Sequence, residues 1–119
     1  MAAPDKTELL GRWTVESINE RPVSDGQLVF MQFTEDSRVA GKASCNRFTG
    51  GYTLSGSELR FAQMASTRMA CAELLMEQER RFLVALSQVV RVRIANGVLV
   101  LTDTNGNDLV KARRSEDTP

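Results

Sequence analysis

The sequence predicts a β-rich α+β domain, in which a single antiparallel sheet of about eight short strands curls into a small barrel with one helix packed on it. Turn-forming pairs such as Asn96-Gly97 recur along the chain, and short runs of β-branched and apolar residues lie between them. Only residues 72–87 have a helical pattern instead. Because β-type runs both precede and follow this stretch, we expect all strands to belong to one sheet.

The β-type runs define the expected strands, and two of them carry further information. In 90–95, apolar residues alternate with Arg91 and Arg93, which predicts one buried and one solvated face. The run 98–101 does not alternate, which predicts either a strand covered on both faces or an exposed apolar patch. Asn96-Gly97 between them favours a type I′ hairpin, which needs positive φ at both central residues. The expected strands are 12–18, 28–34, 38–43, 49–54, 58–62, 90–95, 98–102 and 108–112.

The single helical stretch, 72–87, lacks Gly and Pro and consists largely of helix-forming residues. Leu75, Phe82 and Leu86 recur at helical spacing and define the face expected to pack on the sheet. Glu79 lies within about 40° of that face, so its carboxylate is expected to need a partner.

The chain of 119 residues has the length of one domain, expected over residues 9–113, with a flexible lead-in over 1–8 and a flexible tail over 114–119. Lys+Arg and Asp+Glu number 15 each, and this zero net charge argues against nucleic acid as a partner. No apolar run approaches the ~20 residues that a transmembrane segment needs, and no secretory segment follows Met1. We expect a monomer.

The composition also excludes several kinds of catalytic site. There is no His, so Ser-His-Asp triads, Cys-His pairs and His-ligated zinc are impossible. Neither GxGxxG nor a Walker A loop is present. Met64, Met69 and Cys71 are soft donors of the type that binds Cu(I), but Met more commonly fills gaps in a core. We therefore expect no catalytic residues, no metal and no cofactor.

Cys45 and Cys71 are the only cysteines, and their separation leaves two alternatives open. A disulfide would contribute about 3.5 kcal/mol by closing the loop between them. Two buried free thiols would suit a cytosolic protein.

Several segments together resemble the META domain, also called the HslJ-like family, over residues 9–113. The more specific ones are Gly41-x-x-x-Cys45-Asn46-x-x-x-Gly50-x-Tyr52, Leu59-x-Phe61, Met64-Ala65-Ser66-Thr67-Arg68-Met69-Ala70-Cys71 and Met76-x-x-Glu79. Trp13 and Leu99-x-Leu101-x-Asp103 agree with the pattern but are less specific.

This resemblance implies a barrel-like fold with one helix and a bacterial envelope protein, often a lipoprotein or a secreted domain. It implies links to the heat-shock response and to novobiocin resistance, with no catalytic activity established for the family. It favours the Cys45–Cys71 disulfide over free thiols. Bacterial relatives usually carry an N-terminal signal or lipobox, so the expected location is the periplasm or the outer membrane, provided that such a segment has been removed.

The candidate binding residues are Asn46, Arg68 and Glu79. Asn46 is either a ligand contact or a loop residue bonding its own backbone, and we favour the loop role. Glu79 is either a general acid/base in a pocket or a structural carboxylate. In the structural role it pairs with Arg68 or Arg47, or accepts hydrogen bonds from loop N–H groups.

The function expected from these observations is a non-enzymatic accessory or binding domain of the cell envelope. Its partner would be a hydrophobic, lipid-like ligand or another envelope protein, held in an apolar cleft at the mouth of the barrel. The alternatives are a structural stress-response domain acting through its surface and, less favoured, an enzyme centred on Glu79.

Overall fold

Ten strands and two helices make up the part of the chain that the computed structural model describes, residues 5–23 and 29–115. The helices are α1 (Lys6–Leu9) and α2 (Glu73–Gln88). The strands are β1 (Gly11–Ile18), β2 (Arg21–Pro22), β3 (Val29–Phe33), β4 (Arg38–Ala43), β5 (Arg47–Ser55), β6 (Glu58–Phe61), β7 (Ala65–Ser66), β8 (Arg91–Ala95), β9 (Val98–Thr102) and β10 (Asp108–Arg114). Neither helix has the length and apolar character that a membrane span requires.

Eight of the strands close into an antiparallel barrel in the order β10-β9-β8-β6-β5-β4-β3-β1. Closure comes from β10, which pairs with β1 in a register that runs from Trp13↔Arg114 to Ile18↔Val110. The two short strands are additions, since β2 pairs with β1 and β7 pairs with β5. The predicted fold class is therefore confirmed.

The interior of the barrel is filled by the inward-facing side chains of the strands and by one face of α2. Trp13 and Phe33 are fully buried, and the Trp13 indole N–H donates to the Leu9 carbonyl at 2.9 Å. From α2, Phe82 and Leu86 enter this core as expected, whereas Leu75 is only half-buried. Because α2 packs against β1, β4, β6 and β10, which lie around the circumference, the helix covers one end of the barrel.

The β8–β9 hairpin has the predicted turn, because Asn96 and Gly97 both have positive φ, 54° and 76°. The β9 strand is covered on both faces and does not form an exposed apolar patch, since Val100 on its outer side is buried. The register places Val100 between Arg93 and Lys111, whose aliphatic stems can cover it.

Helical and strand structure extends beyond the predicted domain bounds, 9–113, on both sides. Residues 5–8, assigned to the lead-in, belong to a capped helical turn: Asp5 accepts from the Glu8 N–H at 3.0 Å and Glu8 accepts from the Asp5 N–H at 3.1 Å. Arg114, assigned to the tail, ends β10, and its guanidinium donates to the Leu10 carbonyl at 2.7 Å. Residues 1–4 and 116–119 lie outside the described residues.

Candidate functional site

A buried carboxylate, Glu79, joins α2 to the β4–β5 loop at the covered end of the barrel. Only 8% of Glu79 is exposed. One carboxylate oxygen accepts from the backbone N–H groups of Cys45 and Asn46, at 3.2 and 2.6 Å. The other accepts from the Asn46 side-chain amide at 2.8 Å. Both oxygens therefore have partners, and two of the three donors are backbone groups.

The loop is shaped so that its N–H groups reach this carboxylate. Ser44 has φ of 89°, in the left-handed region that favours glycine, and the next two N–H groups converge on one Glu79 oxygen. Successive N–H groups in such a turn form a concave site for an anion. Ser44 is also held by α2 itself, because its hydroxyl accepts from the Gln78 side-chain amide at 3.1 Å.

Asn46 links Glu79 to a third segment, the stretch that leads into α2. Its side-chain oxygen accepts from the Met69 N–H at 2.7 Å and from the Thr67 hydroxyl at 2.8 Å, while its amide also donates to the Met69 carbonyl at 3.3 Å. The expectation of a local bond to its own loop backbone was therefore wrong. With 2% exposure, Asn46 is a buried bridge among three segments.

The Cys45–Cys71 disulfide ties the same segments together covalently, as the resemblance implied. It joins the β4–β5 loop to the residue just before the N-cap of α2. The sulfur of Cys71 is thus bonded and does not offer the thiolate that a soft-metal site would use. Within the described ranges, no group of three or more Cys, Asp and Glu side chains is arranged to hold a metal ion.

An ion pair of Glu79 with Arg68 or Arg47, one of the two structural roles left open by the sequence, is not formed. Arg68 and Arg47 are exposed, and no salt bridge among residues 5–23 and 29–115 involves either of them. The carboxylate accepts hydrogen bonds from N–H donors instead, which is the other structural role proposed from the sequence. The reason is geometric, because the loop supplies three donors at the carboxylate.

The three candidate binding residues nevertheless meet at one place. Asn46, Arg68 and Glu79 all line an open cleft of about 390 Å³ between α2 and the segment 66–70. The polar atoms of Asn46 and Glu79 are used internally, so the exposed residues at this cleft come from the segment 66–70 and include Arg68 and Met69, which is 59% exposed.

A second, more apolar cleft lies further along α2, toward its C-terminal end. It has a volume of about 480 Å³ and is open to solvent. Val84, 51% exposed, lies in it on the helix side. The residues that line it are Phe61, Ala62, Gln63, Met64, Arg80, Leu83, Val84, Leu86 and Ser87.

The sequence predicts an apolar cleft at the barrel mouth, but no sequence pattern assigned any of these residues to it. Leu83 and Phe61 were visible only as members of a helix and a strand. No local pattern shows that the segment after β6 runs beside α2 and leaves a gap there.

Comparison with known proteins agrees with this architecture. The model of the META domain family matches residues 7–116, nearly the whole chain, and the chain therefore belongs to the META domain family. It is 42% identical over 62 residues to heat shock protein HslJ of Escherichia coli (strain K12), a match that covers 51% of this chain and 44% of HslJ. The matched stretch thus spans less than half the length of that curated relative.

Solved structures share the fold. A protein from Burkholderia xenovorans, solved by NMR, superposes with a TM-score of 0.74 at 26% identity, covering 97% of this chain and 93% of that one. Another NMR structure gives 0.71 at 30% identity, with 92% and 96% covered. A DUF4847 family protein from Bacteroides vulgatus gives 0.57 at 13% identity, covering 76% and 61%, and so shares the fold alone.

Proposed function

We propose that this chain is a non-enzymatic binding module of the cell envelope, which holds a hydrophobic segment of another envelope protein in the cleft between α2 and residues 61–64. In keeping with the name of its Escherichia coli relative, heat shock protein HslJ, this binding would serve a stress response. Resistance to drugs of the novobiocin type, which the family resemblance implies, is the second role proposed.

The observation that carries the proposal is the open apolar cleft. Phe61, Met64, Leu83 and Val84 present carbon surface to solvent in a concavity of about 480 Å³. Concave, mainly apolar sites with few polar groups are typical of binding sites, and exposed apolar patches mark interaction surfaces.

A peptide segment suits this cleft better than a lipid enclosed in the barrel. The barrel interior is occupied by fully buried side chains such as Trp13, Phe33 and Phe82, so the available space is on the outside. Arg80 lines the cleft and forms no salt bridge within residues 5–23 and 29–115. We expect it to pair with a carboxylate beside the partner's hydrophobic side chains.

The non-enzymatic part of the proposal rests on Glu79 and on the composition. A general acid/base must exchange a proton with a substrate, whereas both Glu79 oxygens accept hydrogen bonds from the protein. The chain has no His to take that role instead.

The envelope location is supported by the disulfide. Structural disulfides persist in oxidising compartments such as the periplasm and are rare in the cytosol. We propose a periplasmic or outer-membrane-associated location.

The test compares two substitutions on α2, Val84→Asp and Leu74→Asp. Both remove an exposed apolar side chain, 51% and 78% exposed, but only Val84 lines the cleft. A photo-crosslinking amino acid at Ser87, also in the cleft, is introduced into each variant in the native cells. We expect a discrete protein adduct that Val84→Asp abolishes and Leu74→Asp retains.

Native mass spectrometry of the purified protein shows whether a lipid is bound and also tests the expectation of a monomer. A lipid that co-purifies with the protein and is lost in Val84→Asp would show that the cleft binds a lipid-like ligand and not a protein. Equal crosslinking in both variants would contradict the cleft and favour a structural domain acting through another surface.

A further inference from the structure

We infer that the barrel exterior carries a second docking site, a basic groove that binds an acidic, extended segment of a protein partner. The basic groove runs across β1, β3, β4 and β5 and has a volume of about 680 Å³. Its lining residues are Arg12, Phe30, Gln32, Thr34, Ala40, Gly41, Lys42 and Arg47. It shares none of them with the apolar cleft on α2, so the two proposals stand separately.

The strand register arranges these side chains in rows. Phe30 pairs with Lys42, and Lys42 pairs with Arg47, so these three residues form one row across β3, β4 and β5. Arg12 enters from β1, where its guanidinium carbon lies 3.7 Å from the centre of the Phe30 ring. This stacking fixes the position of the Arg12 charge. Ala40 also lines the groove, and its short side chain leaves space between the longer side chains around it.

Among the described residues, the cations of the groove have no salt-bridge partner. Lys42 and Arg47 stand directly opposite each other, and like charges in that position destabilise a sheet. No salt bridge within residues 5–23 and 29–115 involves Arg12, Lys42 or Arg47. No Asp or Glu is among the described residues that line the groove. The chain has zero net charge, so the positive charge of the groove reflects the local clustering of cations and not an excess of basic residues in the chain.

The spread of the cations favours an extended occupant. Adjacent strands lie about 4.8 Å apart, so Arg12 and Arg47, which are three strands apart and two residues out of row, have backbones separated by about 16 Å along the sheet. Carboxylates at alternate positions of an extended peptide recur about every 7 Å, so one peptide can offer separate carboxylates to Arg12 and to Arg47. Arg–carboxylate pairs form charge-assisted and frequently bidentate hydrogen bonds.

The test uses a fluorescein-labelled peptide of alternating Glu and Ser, with a Gln-for-Glu peptide as the neutral probe, and measures fluorescence anisotropy. We expect the acidic peptide to bind, the neutral one not to bind, and added salt to weaken the binding. Arg47→Glu should lower the affinity about tenfold or more. The matched control Arg91→Glu makes the same charge change on β8, at an exposed position outside the groove, and should alter it less than about twofold.

Amide NMR spectra establish that each variant is folded, and Arg12→Gln replaces Arg47→Glu if the latter is not. Equal binding of the neutral peptide, or an equal loss in Arg91→Glu, would overturn the proposal. Binding to phosphatidylglycerol vesicles without binding to the acidic peptide would also overturn it, in favour of a membrane surface.

Discussion

At the scale of single residues, the carboxylate of Glu79 matters because of the donors that surround it. Three N–H donors point at it in a buried site, and the two backbone donors would be left without an acceptor if the carboxylate were removed. Buried donors without acceptors cost more than the bonds themselves contribute. Glu79 is therefore best understood as the acceptor that allows the β4–β5 loop to fold.

Glu79→Gln tests this role. The side-chain oxygen of Gln can still accept from the Cys45 and Asn46 backbone, but its NH₂ would face the Asn46 amide, donor against donor. We expect the free energy of unfolding to fall by about 2 kcal/mol. Urea denaturation measures it, with the exposed Glu77→Gln as control. Equal stability of the two variants would contradict a structural role.

Asn46→Asp combined with Glu79→Gln should restore part of that loss, but not all of it, because the Met69 carbonyl loses the donor that the Asn46 amide supplies at 3.3 Å. The double variant reverses the hydrogen bond between the two side chains. The side-chain NH₂ introduced at position 79 donates to one oxygen of the carboxylate introduced at position 46. The other oxygen of that carboxylate still accepts from the Met69 N–H and the Thr67 hydroxyl. Asn46→Asp alone places two carboxylates together and should be the least stable of the three variants. A double-mutant cycle on unfolding free energies measures the coupling, and simple additivity would refute this account.

Tyr52 links stability to pH. It is buried, and its hydroxyl donates to the Thr34 carbonyl at 3.1 Å. Burial, and secondarily the charge of Asp36, raises the pKa of Tyr52 above its usual 10.0. The resulting stability is present below the unfolded pKa and is lost as the pH rises through the folded pKa.

Because Tyr52 is the only tyrosine, the phenolate absorbance reports this group alone. We expect its titration midpoint to lie higher in the folded protein than in denaturant. Thermal melting above pH 10.0 should show a loss of stability that is smaller in Tyr52→Phe. Coincident midpoints in the folded and denatured protein would contradict this expectation.

At the scale of elements, the β4–β5 hairpin keeps two cations opposite each other. Lys42 and Arg47 face one another across the two strands, although an acidic residue at either position would form an ion pair with the other. A position where the sheet would be more stable with a different residue is consistent with a binding surface, where function and stability compete.

Lys42→Glu should therefore stabilise the protein by about 0.5 kcal/mol, because it converts an opposed like-charge pair into an ion pair. Urea denaturation at low salt measures this gain. Lys42→Gln is the control, since it removes the repulsion without adding attraction and should give a smaller increase. A loss of stability in Lys42→Glu would show that the two charges do not interact as the register indicates.

A comparison of the secondary-structure elements with the sequence patterns shows which parts of the structure could be predicted. The eight barrel strands and α2 were predictable because alternation, helical spacing and turn pairs such as Asn96-Gly97 are local properties. The two-residue strands β2 and β7 are too short to show any period. The Asn46–Glu79 bond joins positions 33 residues apart, so only the folded barrel brings its two ends together. The same holds for the apolar cleft and the basic groove.

At the scale of the whole molecule, the disulfide and the hydrogen bonds of Asn46 join the same two segments. The Cys45–Cys71 bond closes the loop covalently, whereas the Asn46 bonds to Thr67 and Met69 close it only in the folded state. The covalent bond restricts the unfolded chain, which is where its stabilisation arises in the chain-entropy model.

Reduction of the disulfide, or its replacement by Cys45→Ser with Cys71→Ser, should lower the free energy of unfolding by about 3.5 kcal/mol. Urea denaturation with and without reductant measures the loss. The Ser variant, which reductant does not affect, is the control. A loss below about 1 kcal/mol would mean that the unfolded chain already keeps these segments together.

The closure of the barrel by β1 and β10 has a mechanical consequence. Trp13 pairs with Arg114, so the chain leaves the barrel at both ends from the same end of one antiparallel strand pair. A force pulling residues 5 and 115 apart would load the hydrogen bonds of this pair one after another, as in opening a zipper, and not all together in shear. The domain should therefore yield at low force when it is stretched between its ends, and the Cys45–Cys71 bond would then stop the loop that it closes from extending.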